Sequence, residues 1–254
     1  GEAYDARIPM GYDTVEKLAT PEVNNEFKGE IVPSVGAEIY LRHDLTLAPV
    51  KAYLWKGVEG AKEKEFGKVI ITKEFASGEE MIVKPDETLV VDFGQNCAGV
   101  PSFVFKATEG TQLSCLPSEL LNDGNGAESR GMDGPEGSVH RLNLRIPETG
   151  MLLDYTFGCG NDYVAYHPSH TFYGYRFVSI TATDEVSIKS LTSIPVTSIA
   201  KEMEIGTITT GNELINKLIA NTYWGQLSNY LSVPTDCPQR NERLGWTADT
   251  QVFT

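Results

Sequence analysis

The chain has 254 residues, of which 41% are hydrophobic and 22% charged, with a net charge of −14. This composition excludes disordered and fibrous classes, and no apolar run reaches the roughly 18 residues that a membrane-spanning helix requires. The acidic balance argues against a nucleic-acid partner, because phosphate binding needs a positive surface, while a soluble enzyme acting on neutral substrates tolerates it.

Residues 1–30 are mixed and polar, punctuated by Pro9, Gly11, Pro21 and Gly29. Short apolar or alternating runs follow at 38–42, 50–55, 69–72, 81–83 and 89–93, each bounded by turn or polar residues. Further strand candidates lie at 102–106, 111–116, 139–146, 155–157, 170–172 and 176–182. Many short strands at near-regular spacing favour a β-sandwich over a βαβ sheet. Residues 122–137 are rich in glycine and nearly devoid of apolar side chains, the pattern of a long exposed loop.

The period changes near residue 205. Thr210-Gly211-Asn212-Glu213 has the Thr-x-x-Glu form of a capping box. Leu214, Ile215, Leu218, Ile219, Tyr223, Leu227 and Tyr230 follow at helical spacing, predicting a helix of roughly twenty residues that Pro234 ends. A loop, VPTDCPQRNE, then leads to a second helix near Leu244. A domain boundary is expected between 198 and 204. The start lacks an initiator Met and a signal-peptide pattern, and the end lacks a helix stop signal. The chain is therefore expected to be a piece of a longer protein, with its cellular location unread.

Cys97, Cys115, Cys159 and Cys237 have no CxxC spacing and no zinc-type His pairing. Four separate thiols are expected, the alternative being a Cys115–Cys159 bridge. His43, His140, His167 and His170 are scattered among strands, and His167 with His170 has no third ligand nearby. The Asp92–Gly94 triplet DFG lacks the other kinase segments, and GxSxG, Walker, HExxH and EF-hand patterns are absent from the sequence. No cofactor is expected, and oligomeric state has no readable signal.

The chemistry concentrates in Asp236-Cys237-Pro238-Gln239-Arg240-Asn241-Glu242-Arg243-Leu244-Gly245-Trp246-Thr247-Ala248-Asp249. On a helix Asp249 and Trp246, three apart, share a face, and Glu242 falls near the N-terminal end of that helix. Carboxylates accept hydrogen bonds from sugar hydroxyls, an indole stacks on the C–H face of a ring, and a protonated carboxyl can donate to a glycosidic oxygen. Residue types alone leave two blander readings open. The acids serve equally well as helix caps and macrodipole partners, and Trp246 as core.

DCPQRNERLGWTAD at 236–249 resembles the signature of the bacterial α-L-rhamnosidases, an inverting glycoside hydrolase family (family 78). VVDFGQNCAGV at 90–100 and YHPSHTFYGYRFVSI at 166–180 resemble the opening and closing strands of the β-sandwich that precedes that family's catalytic domain. GEAYDARI at 1–8 resembles the end of its carbohydrate-binding-like N-terminal module. The resemblance implies a mainly β chain in which sandwich modules lead into the first helices of an (α/α)6 barrel. Residues 1–75 would be the remainder of an N-terminal module, 76–200 a β-sandwich, and 201–254 the truncated start of the barrel.

It also implies roles. Glu242 matches the general acid, Asp236 and Asp249 match carboxylates that bind rhamnose hydroxyls, and Trp246 matches an aromatic wall. Arg240 and Arg243 are electrostatic supports, with Arg240 placed in the substrate-binding set. The general base lies downstream of this chain, so the 254 residues by themselves are expected to be inactive. No residues match a calcium site. Two departures from the pattern stand out. Asn241 replaces the usual Asp before the acid, removing a like charge that raises a carboxyl pKa and shifting that task to burial beside Trp246. Ala248 replaces Gly and favours helix. The reading is an enzyme that releases terminal α-L-rhamnose from glycosides or polysaccharides. The alternatives are a non-catalytic carbohydrate-binding sandwich and an exo-glycosidase of different sugar specificity.

Overall fold

The computed structural model describes residues 1–8, 26, 28–30, 32–33, 36–63, 65–124, 133–144, 151–160, 162–240, 242–246, 248 and 250–251. Its strands are β1 (Glu2–Asp5), β2 (Tyr40–Leu41), β3 (Lys51–Glu59), β4 (Lys68–Glu74), β5 (Met81–Val83), β6 (Thr88–Lys106), β7 (Gln112–Ser118), β8 (Leu120–Leu121), β9 (Val139–His140), β10 (Leu153–Thr156), β11 (Val164–Tyr166), β12 (Tyr173–Ala182) and β13 (Val186–Thr197). Helix α1 (Glu213–Asn229) follows, then a hairpin of β14 (Tyr230–Leu231) and β15 (Val233–Pro234).

The sandwich is built on β6. The sequence predicts two strands, at 89–93 and 102–106, yet β6 is continuous over 19 residues. Its first half pairs with β3 on one side, Lys51 opposite Asp92, and with β12 on the other, Phe177 opposite Asp92. Its second half pairs with β12 and β13, Tyr173 and Pro195 both facing Gly99. Between the halves Gly94 takes φ +77° and the pairing with β12 slips between Tyr175 and Phe177. A positive φ and a bulge bend a strand without ending it. One ladder thus turns across both layers, and local pattern reading splits it at the polar Gln95 and Asn96.

β13 is absent from the predicted strands. Val186 and Ile188 alternate, but a bulge between Ile188 and Ser190 moves the next buried residue to Leu191 and breaks the two-residue period. The predicted strand at 170–172 does not form, because the Phe172 carbonyl accepts from the Arg243 side chain instead of joining a ladder. The sheet also crosses residue 75: β3 and β4 join it through β6, and β1 pairs in parallel with β10. The Glu2 carboxylate reinforces that edge by accepting from the Tyr166 hydroxyl at 2.5 Å and the His170 amide at 2.9 Å.

The core is aromatic at its centre. Phe105 is fully buried and packs at 4.7 Å centroid separation against both Tyr155 and Phe157, edge-on. At the base of the 122–137 segment, whose residues 125–132 lie outside the described set, Asn122 is buried. It accepts from the Asp133 amide at 3.2 Å and donates to Ser138 Oγ at 2.9 Å. No bridge joins Cys115 and Cys159: the first is fully buried, the second is exposed, and all four thiols are free. Burial pushes the Cys115 thiol up to about 12.

The N-cap of helix α1 lies two positions after Thr210, where the predicted capping box places it. Asn212 is the N-cap, its side chain accepting from the Leu214 and Ile215 amides, while Thr210 and Asn216 bond to each other. Asx and Thr side chains compete for the same orphan amides, and the one adjacent to the helix wins. The helix ends at Asn229, earlier than Pro234, because the Asn229 carbonyl turns to Thr235, accepting its amide at 2.7 Å. Only its C-terminal end is buried, through Leu227 and Ser228, with Ser228 Oγ accepting from the Ala98 amide of β6 at 3.0 Å. Leu214, Ile215 and Leu218 are exposed. Among the described residues no helix is long and apolar enough to cross a membrane.

Candidate active site

The loop that follows β15 is closed by Asp236. Its amide donates to the Leu244 carbonyl at 3.2 Å, and the Leu244 amide returns to Asp236 Oδ1 at 3.1 Å. The chain between them forms a compact ring stapled from within. Cys237 Sγ donates to Asp236 Oδ2 at 3.2 Å. Burial opposes ionisation of Asp236, but hydrogen bonds from the Cys237 thiol and the backbone amides outweigh it and hold the carboxyl below its usual value.

Arg240 faces both acids. Its Nε and Nη2 each lie 3.0 Å from Glu242 Oε2, and Nη2 is 3.9 Å from Asp236 Oδ2. The side chains of Asp236 and Glu242 are 11% and 19% exposed, enough for a ligand to reach them and too little for free hydration. Ligand atoms of Asp236, Cys237 and Glu242 lie within 4.8 Å of one another. Three such donors can hold a cation, but here the Arg240 guanidinium already supplies the positive charge.

The structure thus brings Asp236, Arg240 and Glu242 together. It places Trp246 differently from the expectation. The segment 242–246 is irregular and Ala248 is helical, so among the described residues Trp246 stands before the helix, and it is 50% exposed. The expected helical face shared by Trp246 and Asp249 falls on Asp249, which lies outside the described residues. Glu242 and Leu244 belong to the loop. The reason is local: the Asp236–Leu244 ring consumes the backbone groups that an earlier helix start would need.

Arg243 turns away from the acids into the sandwich. Its Nη2 donates to the carbonyls of Phe172 at 3.1 Å and Pro238 at 3.0 Å, and its guanidinium carbon sits 4.0 Å over the Phe172 ring. Burial lowers its pKa from the usual arginine range.

One contributor has no signal in the sequence. A cleft of about 390 Å³ opens beside the loop, lined by Asp236, Cys237 and Gln239 and, from the sandwich, by Gln95, Asn96 and Glu119. Glu119 accepts from Asn96 Nδ2 at 2.8 Å and Asn143 Nδ2 at 3.1 Å. Its burial raises its carboxyl pKa, against the opposing pull of Asn96 and Arg240. It reaches the site by strand order alone.

Comparison with known proteins gives two domain matches along the chain. The concanavalin-like domain of bacterial α-L-rhamnosidases matches residues 82–197, and the six-hairpin glycosidase domain of the same enzymes matches 203–254. An α-L-rhamnosidase of Streptomyces avermitilis is 35% identical over the whole chain, which covers 21% of that protein. The structure of an α-L-rhamnosidase from Dictyoglumus thermophilum superposes with a TM-score of 0.59 at 26% identity, over 88% of this chain and 20% of that one. A Streptomyces avermitilis α-L-rhamnosidase complexed with L-rhamnose superposes at 0.57 and 27% identity, over 88% and 17%. The chain spans between 16% and 21% of the length of the curated relatives it matches. With two successive domain matches in the family's order, and an identity that runs the length of the chain, the chain belongs to the bacterial α-L-rhamnosidases.

Proposed function

We propose that the protein carrying this chain is an inverting α-L-rhamnosidase that releases terminal α-L-rhamnose from glycosides or polysaccharides, with Glu242 as general acid. The observation that carries the reading is the Glu242 carboxyl, largely buried, gripped by two N–H groups of Arg240 and set in the same ring as Asp236. An acid that protonates a leaving oxygen must be held in one geometry. Arg240 fixes that geometry, and the Asp236–Leu244 pair fixes the backbone beneath it. Asp236, held ionised, accepts hydrogen bonds from sugar hydroxyls through lone pairs beyond those used by Leu244 and Cys237. Asp249 and Trp246 complete the sugar pocket in this reading.

Inversion requires a second carboxylate ~6.5–9.5 Å from the first, with water between. We assign that base to sequence outside these 254 residues, and residues 201–254 to the opening of the (α/α)6 barrel. The test is Glu242→Gln in the full-length protein. Activity on natural rhamnosides should fall by ~10²–10⁴, the usual contribution of general acid catalysis, with a much smaller loss on aryl rhamnosides whose leaving groups need little protonation. Unchanged activity on both substrate types would exclude Glu242.

A further inference from the structure

The acid-bearing loop is seated on the sandwich by two features outside the catalytic set. The first is Gly174 in β12, opposite Ala98 of β6. A Cβ there would lie 2.6 Å from the Gln239 nitrogen, 2.7 Å from its Cα and 2.8 Å from its Cβ. Those separations are below any van der Waals contact, and two of the three atoms are backbone. Residue 239 therefore rests directly on the bare backbone of the strand, and any side chain at 174 pushes the loop outward.

The second is Arg243. It follows Glu242 immediately, takes a left-handed φ of +52°, and sends its side chain away from the acids. One nitrogen spans the sandwich and the loop, donating to Phe172 and Pro238, while the guanidinium stacks on the Phe172 ring. A buried, charge-assisted contact to two carbonyls is a strong constraint. The Arg243 Nε is buried without a partner in this structure, so the side chain keeps its position against a desolvation cost.

We infer that Gly174 and Arg243 are positioning residues, which seat the 236–244 ring on the concanavalin-like domain and so hold Glu242 at its working distance. Neither touches the sugar. The inference rests on the reading of Glu242 as general acid, since the cost of misplacement falls on proton donation. A displacement near 1 Å costs about 10²-fold in rate, and protonation matters most when the leaving group is poor.

The experiment uses Gly174→Ala and Arg243→Lys in the full-length protein, with Glu242→Gln alongside. For each positioning variant the kcat on rhamnosides with poor leaving groups should fall by roughly 10- to 100-fold, while the loss on an activated aryl rhamnoside stays within about 3-fold and KM changes little. Cys237 gives a second readout that does not depend on the acid. It is buried within the ring, and an outward shift should raise its rate of modification by a thiol reagent while Cys97 and Cys115 in the sandwich stay protected. Equal losses on both substrates, or Cys237 protected as in the wild type, overturns the inference. If Glu242→Gln shows no dependence on leaving group, the acid assignment fails, and Cys237 labelling alone still decides whether β12 seats the ring. Should Gly174→Ala fail to fold, Arg243→Lys carries both measurements, because it keeps the charge and loses the stacked fork.

Discussion

Replacing Arg240 with Ala removes both contacts to Glu242 Oε2, at 3.0 Å each, and leaves the ring closed by Asp236 and Leu244 intact. A hydrogen bond to a charged group contributes ~1.5–3 kcal/mol. Arg240 is 31% exposed, and solvent screening places this pair at the lower end, near 1.5–2 kcal/mol. At about 1.36 kcal/mol per factor of ten, that becomes a roughly 10- to 30-fold fall in kcat. If Glu242 is the general acid proposed above, the loss belongs in kcat, because the contact orients the group that moves the proton, and it should steepen as the leaving group becomes more basic. The assay is steady-state kinetics on a series of aryl α-L-rhamnosides of graded leaving-group pKa, with one natural glycoside. A change confined to KM and equal across the series would refute the reasoning, and would make Arg240 a sugar contact with no part in holding the acid.

The aromatic centre of the sandwich predicts a stability effect. Phe105→Ala deletes a fully buried ring touching Tyr155 and Phe157, costing ~3–5 kcal/mol, or about 6–20 °C in Tm at ~2–4 °C per kcal/mol. Thermal unfolding that moves less than about 3 °C would mean the site collapses without a cavity. A second prediction concerns acid. The hydrogen-bonded Arg42 guanidinium holds the Asp44 carboxyl at about 2, below its ordinary 3.8. A depressed carboxyl stabilises the fold above its unfolded pKa and loses that contribution as pH falls through the folded value. Asp44→Asn should therefore lower the urea midpoint near pH 6 and lower it much less near pH 2, where the carboxyl is already half protonated; a difference constant across that range would show that Asp44 acts through something other than its charge.

Much of the architecture follows from patterns a few residues long. Alternation marks β3, β4, β5, β7 and β12 within a few residues of their observed bounds, and the apolar spacing from Leu214 marks α1. The cluster from Asp236 to Glu242 is visible because acids and arginines crowd into a turn, and its resemblance to one family names the chemistry. Features that depend on distant partners escape such reading. β6 looks like two strands because the bend at Gly94 that lets it serve both layers has no local period. β13 hides behind a bulge that only its partner strand defines.

The site divides in the same way. Sequence alone placed Asp236, Arg240 and Glu242 within one short turn, and their mutual approach is a property of the local chain. Only the tertiary structure decided where that turn sits. The Phe172 carbonyl and ring hold the Arg243 side chain, and residue 239 of the turn rests on Gly174. Glu119 enters the cleft, and Gly174 and Phe172 receive the loop, because the strand order brings residues more than sixty positions apart to one surface. Contacts at that separation are set by packing and by the closing of the sheet, and a local window records neither.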